Sequence, residues 1–220
     1  TLFFGILLSS VLLLFGLLLS PLLSQVSDMA VQAMPAKYEY MLKSEVKTKN
    51  KEAEALAVSS FKTHSNGYLP ESVSVYGISQ NSRYFKENFP KEGVYISSGY
   101  SEKYQLSVGD TVTIKKPYTS ILYELEIVGI HEAPTSIDIY MSKDYYCDLF
   151  DEEDDYYNAY LSNVPLDDLA PDKVYSTITQ ADITKMSDQL MVSMGGMFHL
   201  VNIFAIALFL LVVYLLTKLI

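Results

Sequence analysis

The sequence predicts an α+β extracellular domain flanked by two transmembrane α-helices, and three observations carry that prediction. Of the 220 residues, 50% are hydrophobic and only 19% charged, yet the charges are gathered in one block. Residues 1–27 hold no ionisable side chain, and residues 189–217 none that is charged at neutral pH with His199 neutral. All 26 acidic residues and 15 of the 16 basic ones lie between, a balance of −11 in the middle, and only Lys218 lies outside it. An α-helix rises about 1.5 Å per residue, so roughly 20 apolar residues cross a hydrocarbon core of about 30 Å. Both uncharged runs exceed that. The expected division is residues 1–27 as a transmembrane helix, 28–188 as the folded domain, and 189–220 as a stalk end and second transmembrane helix.

The first run reads LFFGILLSSVLLLFGLLLSPLLS. It is too long for the apolar region of a secretory signal, no basic segment precedes it, and no small-x-small cleavage site follows. A chain that opens on Thr1 reads as a fragment of something longer. Pro21, near the outer end, is placed to kink the helix or help stop it. Gly5, Ser9, Gly16 and Ser20 fall at about 0°, 40°, 20° and 60° around a helix. Such a narrow stripe of small side chains lets membrane helices approach closely. The second run, MFHLVNIFAIALFLLVVYLLTKLI, has only Ala205 and Ala207 among bulky residues. Asp182–Met194 reads as helix leading into it, and Gly195-Gly196 is expected to interrupt that helix, either as a short break where the domain meets the headgroups or as a hinge, since glycine costs about 1 kcal/mol relative to alanine there. Lys218 after the second run marks the cytoplasmic side, which leaves the middle outside and the protein multi-pass in the plasma membrane.

Tyr, Val, Ile and Leu recur through the middle, so it folds rather than staying disordered. AKYEYMLKSEV alternates as a strand does. TKNKEAEALAVSSFKT has good helix formers, with Ala53, Leu56, Ala57 and Phe61 at helical spacing, and is expected to be a helix. SVSVYGI is a strand. EGVYISSGYSEKYQL is a strand running into a short helix capped by Ser101. Gly109-Asp110 forms a tight turn, Gly109 at positive φ and Asp110 accepting from nearby backbone amides. LYELEIVGIHE and SIDIYMS are further strands, KDYYCDLF a short helix and YYNAYLS a late strand. No internal repeat is evident. Strands and helices mixed without a βαβ period make the class α+β.

The chemistry that this sequence lacks is informative. The acidic balance argues against a nucleic-acid partner, which needs basic patches. A single cysteine, Cys147, excludes an internal disulfide framework and reads as a small buried side chain. Neither GxxxxGK[ST] nor GxSxG occurs. SxxK occurs at Ser44–Lys47 and Ser59–Lys62 without its companion motifs, which leaves a serine–lysine peptidase as a remote alternative. His64, His131 and His199 have no metal spacing, and His131 reads as a solvated or hydrogen-bonded side chain. The run Asp151–Asp155 alternates acids, but Tyr156 and Ser162 stand where a calcium loop needs Gly and Glu, so it reads as a solvated loop. No catalytic, cofactor-binding or metal-ligating residue is assigned and no cofactor is expected.

The order of motifs resembles the extracellular core domain of FtsX-like, MacB-type ABC transporter permeases. The matching elements are Val94–Ser97, then Leu106 with Val108-Gly109-Asp110-Thr111-Val112, then Ile127-Val128-Gly129-Ile130, then Ile139-Tyr140-Met141-Ser142. The ending, from Ala181 on, resembles the helix that enters the next span of these bacterial proteins, and the resemblance covers most of residues 38–220. It implies a non-enzymatic membrane segment that couples a separate cytoplasmic ABC ATPase subunit to an external domain, for export, extraction or mechanotransmission. The implied partners are that ATPase, other permease spans or a second permease, the lipid bilayer, and an extracellular peptide, lipid or protein. The alternative is a two-span extracellular sensor or ligand-binding module. In either case the structural candidates are Gly5, Ser9, Gly16, Ser20, Gly109, Asp110, Gly195 and Gly196.

Overall fold

The computed structural model describes residues 2–64 and 67–219 and divides into two compact units. One comprises Thr1–Asp28 with Ala181–Ile220, the other Met29–Gln180.

The first unit is a pair of helices, α1 (Leu2–Ala33) and α4 (Gln180–Leu219), which extend past its borders. At 32 and 40 residues they are about 48 and 60 Å long, enough to cross a bilayer. Only 6% and 11% of their most apolar windows are buried, so large side chains such as Phe3, Leu14, Leu200 and Phe204 face outward. By length and composition both helices are apolar enough to cross a membrane. The two helices pack through the small-residue face. A Cβ on Gly16 would overlap the Asn202 side-chain amide, and one on Gly5 would touch Val212 Cγ2 at 3.4 Å. These pairs run in opposite chain directions, so the helices are antiparallel, with Ala205 fully buried between them. Ser9 and Ser20 also lie on α1, but their side chains fall outside the described set.

Of the two roles expected of Pro21, it does not stop the helix, since α1 continues to Ala33. Gly195 and Gly196 do not interrupt α4, which runs through both without a break. A glycine pair lowers helix propensity by about 2 kcal/mol, which a 40-residue apolar helix absorbs through its many other hydrogen bonds.

The second unit is built on nine strands, β1 (Tyr38–Leu42), β2 (Glu54–Thr63), β3 (Ser72–Ile78), β4 (Val94–Ser97), β5 (Thr111–Lys115), β6 (Leu122–His131), β7 (Asp138–Ser142), β8 (Ala159–Ser162) and β9 (Val174–Thr179). Two short helices, α2 (Ser98–Tyr104) and α3 (Lys143–Phe150), follow β4 and β7. The strands run β3-β7-β4-β6-β5-β2-β8-β1-β9, and β2 also pairs with β3. Six strands therefore close into a barrel, and β8, β1 and β9 extend from it through the first residues of β2. Val75, Val94, Ile96, Ile114, Leu125, Ile127, Ile139 and Met141 fill the barrel at 0% exposure. Each such side chain contributes about 1.5–3 kcal/mol relative to an exposed one.

The segment expected to be a helix, TKNKEAEALAVSSFKT, contains β2 instead. Ala57 and Phe61 point into the barrel while Leu56 and Val58 join the layer outside it. A strand buried on both faces loses its alternation, and tertiary pairing overrides its helix formers. The cap of α2 also differs. Ser97, not Ser101, accepts from the Tyr100 N–H, at 3.3 Å. Ser101 closes the other end of that helix by donating to the Leu106 carbonyl.

The barrel has an internal repeat that the linear sequence conceals. β3 is parallel to β7 and β4 is parallel to β6, with β4 and β7 antiparallel at the centre through Tyr95↔Tyr140 and Ile96↔Ile139. Ser97 and Ser142 cap the following helices with nearly the same backbone (φ −63°, ψ 149° and φ −63°, ψ 147°). Both helices end in a left-handed residue, Gln105 and Asp151. VYIS and IYMS, and VYGI and IVGI, are the matching strand sequences. One half runs hairpin β2–β3 then strand β7, the other strand β4 then hairpin β5–β6, so the copies are permuted and no simple period appears.

Candidate functional site

The site is a layer of aromatic and acidic side chains on the outside of the barrel. Leu56, Val58 and Ile78 of β2 and β3, Tyr140 of β7, and Ala159 and Leu161 of β8 form its floor. The segment between β3 and β4 covers it with Phe85 and Phe89. The rings interlock, with centroids 5.3 Å apart for Tyr76–Tyr140, 5.7 Å for Phe85–Tyr140 and 4.6 Å for His131–Tyr140.

Four ionisable groups enter this apolar layer. Glu39 of β1 is 9% exposed, because β1 alternates Tyr38, Tyr40 and Leu42 toward one cluster and turns Glu39 and Met41 to the other face. Burial raises its carboxyl from 4.5 to about 7, and the Asp138 charge adds to that. Asp138 opens β7 and is raised as well, by burial above all, although it accepts a hydrogen bond from the Tyr140 hydroxyl (3.3 Å). The Tyr76 and Tyr140 hydroxyls are both pushed well above the ordinary range, again by burial first and then by the two carboxylates. At the rim, His131 Nδ1 lies 2.7 Å from Glu87 Oε1. Burial works to raise Glu87, but the hydrogen bond to His131 and its charge outweigh it and hold the carboxyl below its usual value. Burial thus favours the protonated form of the Glu39 carboxyl in this layer.

A cleft of about 280 Å³ opens beside the rim, lined by Gln32, Met34 and Pro35 with Tyr84, Lys86, Glu87 and His131. Among the described residues no three His, Cys, Asp or Glu side chains converge as metal ligands.

The predicted residues lie elsewhere. Gly109 has φ +96°, its N–H donates to Ile127, and Asp110 Oδ2 accepts from the Ser107 N–H at 2.8 Å, so the turn is as expected. Gly5 and Gly16 are in the helix pair, and Gly195 and Gly196 on α4 have open space around them. Ser59 hydrogen-bonds Tyr146 inside the barrel, whereas Lys62 points out to Ser72, so the pair is no dyad; Ser44 and Lys47 are both exposed. Asp151 is the left-handed cap of α3 and its run continues as a turn. Cys147 is 2% exposed. Glu39 and Asp138 escaped sequence reasoning. The only trace was an acid between two tyrosines in an alternating strand pattern.

The chain is thus an α+β domain with a closed barrel core, carried by two helices long and apolar enough to span a membrane. No protein-family model matches it, and no curated protein does. Among solved structures it is similar to the periplasmic region of MacB from Actinobacillus actinomycetemcomitans, with TM-score 0.39 and 10% identity over 72% of this chain and 95% of that one.

Proposed function

We propose that this chain is the span–domain–span part of an ABC transporter permease, its domain outside the cell and its two helices among the permease spans. A separate cytoplasmic ATPase subunit would supply the energy, and both spans would carry its motion to the domain. One observation supports this most. The motif series resembling these permeases forms consecutive elements of a single barrel, from β4 and α2 through the Gly109-Asp110 turn to β7 and α3, between two span-length helices. The direct test is purification of the native protein from its membranes under mild detergent. Stoichiometric recovery of an ATP-hydrolysing subunit supports the reading. Recovery of a kinase-like signalling partner without an ATPase overturns it in favour of the two-span sensor.

A further inference from the structure

The stretch between β3 and β4, residues 79–93, closes the aromatic layer with no regular structure of its own. Among the described residues it makes no backbone-to-backbone hydrogen bond to the rest of the domain. Side chains hold it instead, at two places. Near its start the Arg83 N–H donates to Glu54 Oε2 (2.9 Å), Arg83 Nη2 to the Lys51 carbonyl (2.7 Å) and the Tyr84 hydroxyl to the Glu52 carbonyl (2.6 Å). Further along, Glu87 Oε1 meets Nδ1 of His131, the last residue of β6, at 2.7 Å. Glu87 lies two residues from each of the buried rings, Phe85 and Phe89, that the stretch inserts into the layer.

The pair is largely withdrawn from water, 15% exposed at the His131 side chain and 26% at Glu87. The second carboxylate oxygen, Oε2, is buried and has no hydrogen-bond partner among the described residues. Around the imidazole stand the rings of Phe85 and Tyr140, with centroids 5.7 and 4.6 Å away. The other ionisable groups about the pair are Tyr84 and Lys86 of the same stretch, Glu132 beside His131, and Tyr140 with its partner Asp138 from β7. β4, which pairs with β6, adds only Tyr95. Lys86 is exposed, and among the described residues it makes no ion pair, so the cation facing Glu87 is His131. Losing that cation strands a charge at the edge of an apolar layer.

We propose that Glu87 and His131 form a proton-operated clasp. With His131 charged, the strap 79–93 stays shut over the aromatic layer; with His131 neutral, its proton given up to water, the strap opens and carries Phe85 and Phe89 out. Histidine is the side chain that changes charge between about pH 5 and 8. Burial works to raise Glu87, but the hydrogen bond to His131 holds its carboxyl below 4.5, so the anion is in place across that range. The clasp therefore contributes fully while the imidazole is charged and is lost as pH rises through the range in which histidine gives up its proton. It does not rest on the permease reading, since neither an ATPase nor a transported substrate enters it.

The test uses the full chain in lipid nanodiscs carrying Val58→Cys, a buried floor position of the layer. Its rate with a thiol reagent, divided by that of a free cysteine thiol at the same pH, reports how often the strap opens. This ratio should rise about 10-fold from about pH 5.5 to about pH 8.5, the worth of one charge-assisted hydrogen bond. Cys147, inside the barrel, should stay unreactive throughout. Adding Glu87→Gln leaves no anion to strand and should make the ratio equal at both pH values. A constant ratio with Glu87 and His131 in place overturns the clasp. So does a rise that survives Glu87→Gln, which would belong to Glu39 or another group. Should Glu87→Gln not fold, His131→Gln decides: the ratio must be high and flat, and one that is low or still climbs with pH overturns the proposal.

Discussion

Replacing Gly99 by alanine should cost the domain stability out of proportion to one methyl group. Gly99 sits in the first turn of α2, and a Cβ there would come within 2.5 Å of the Pro134 carbonyl oxygen and 2.7 Å of the Ser136 carbonyl oxygen. Both are backbone atoms, so no side-chain rotation relieves the overlap. The loop they belong to is fastened to this same turn. The Gly99 N–H donates to Ala133 O (3.2 Å), the Ala133 N–H donates to Ser98 Oγ (3.0 Å), and Ser97 Oγ donates to Ser136 O (2.8 Å). Overpacking of this kind costs about 1–3 kcal/mol and a lost backbone hydrogen bond about 1 kcal/mol, whereas alanine in place of glycine in a helix returns about 1 kcal/mol. The net loss is about 2 kcal/mol, or roughly 4–8 °C in Tm for a chain of this size. The assay is thermal unfolding of the full chain in detergent, followed by near-ultraviolet circular dichroism of its tyrosines. Gly196→Ala, where nothing lies within 4 Å, is the control and should melt no lower than the parent. If Gly99→Ala melts within a degree of the parent, the close approach of loop and helix is wrong. The consequence reaches the site, because the same loop leads into Asp138.

Three further outcomes follow from other parts of the molecule. Gly109→Val should lower Tm by strain alone, by about 2 kcal/mol, because φ is +96° and nothing surrounds the site; an unchanged melting curve would contradict the turn. Gly16→Leu should separate α1 from α4 at Asn202, and disulfide crosslinking of cysteine pairs placed on the two helices should drop against the parent, equal yield counting against the packed face. In intact cells a membrane-impermeant maleimide should label Tyr118→Cys, a fully exposed position on the β5–β6 hairpin, and not the parent, whose Cys147 is buried; labelling only after permeabilisation would put the domain inside.

What the sequence made legible depended on how local each cause was. The two apolar helices follow from charge depletion over long runs, and the Gly109-Asp110 turn from two adjacent residues. The caps of α2 and α3 were within reach, since Ser97 and Ser142 each precede a helix by one position, but Ser101 competed for the first. β2 was misread because its two faces are buried by different layers, leaving helix formers as the only visible signal. β9 was missed because its burial is partial and VYSTIT carries no strong alternation. Glu39 was illegible for a deeper reason. The pleat puts it opposite Tyr38 and Tyr40, and only the long-range cover of the layer holding Phe85 and Phe89 buries that second face. Sequence pattern reads which face differs, not which face is wet.

The claim that cytoplasmic ATP acts on the outer domain has one most direct test. Hydrogen exchange would be compared in the native complex, reconstituted in lipid, with and without ATP plus vanadate. β9 runs directly into α4 and β1 follows α1 after four residues, so their amides should change protection when nucleotide is trapped, at constant pH. Identical exchange across Met29–Gln180 in both states, with ATP hydrolysis verified in the same sample, would contradict the coupling.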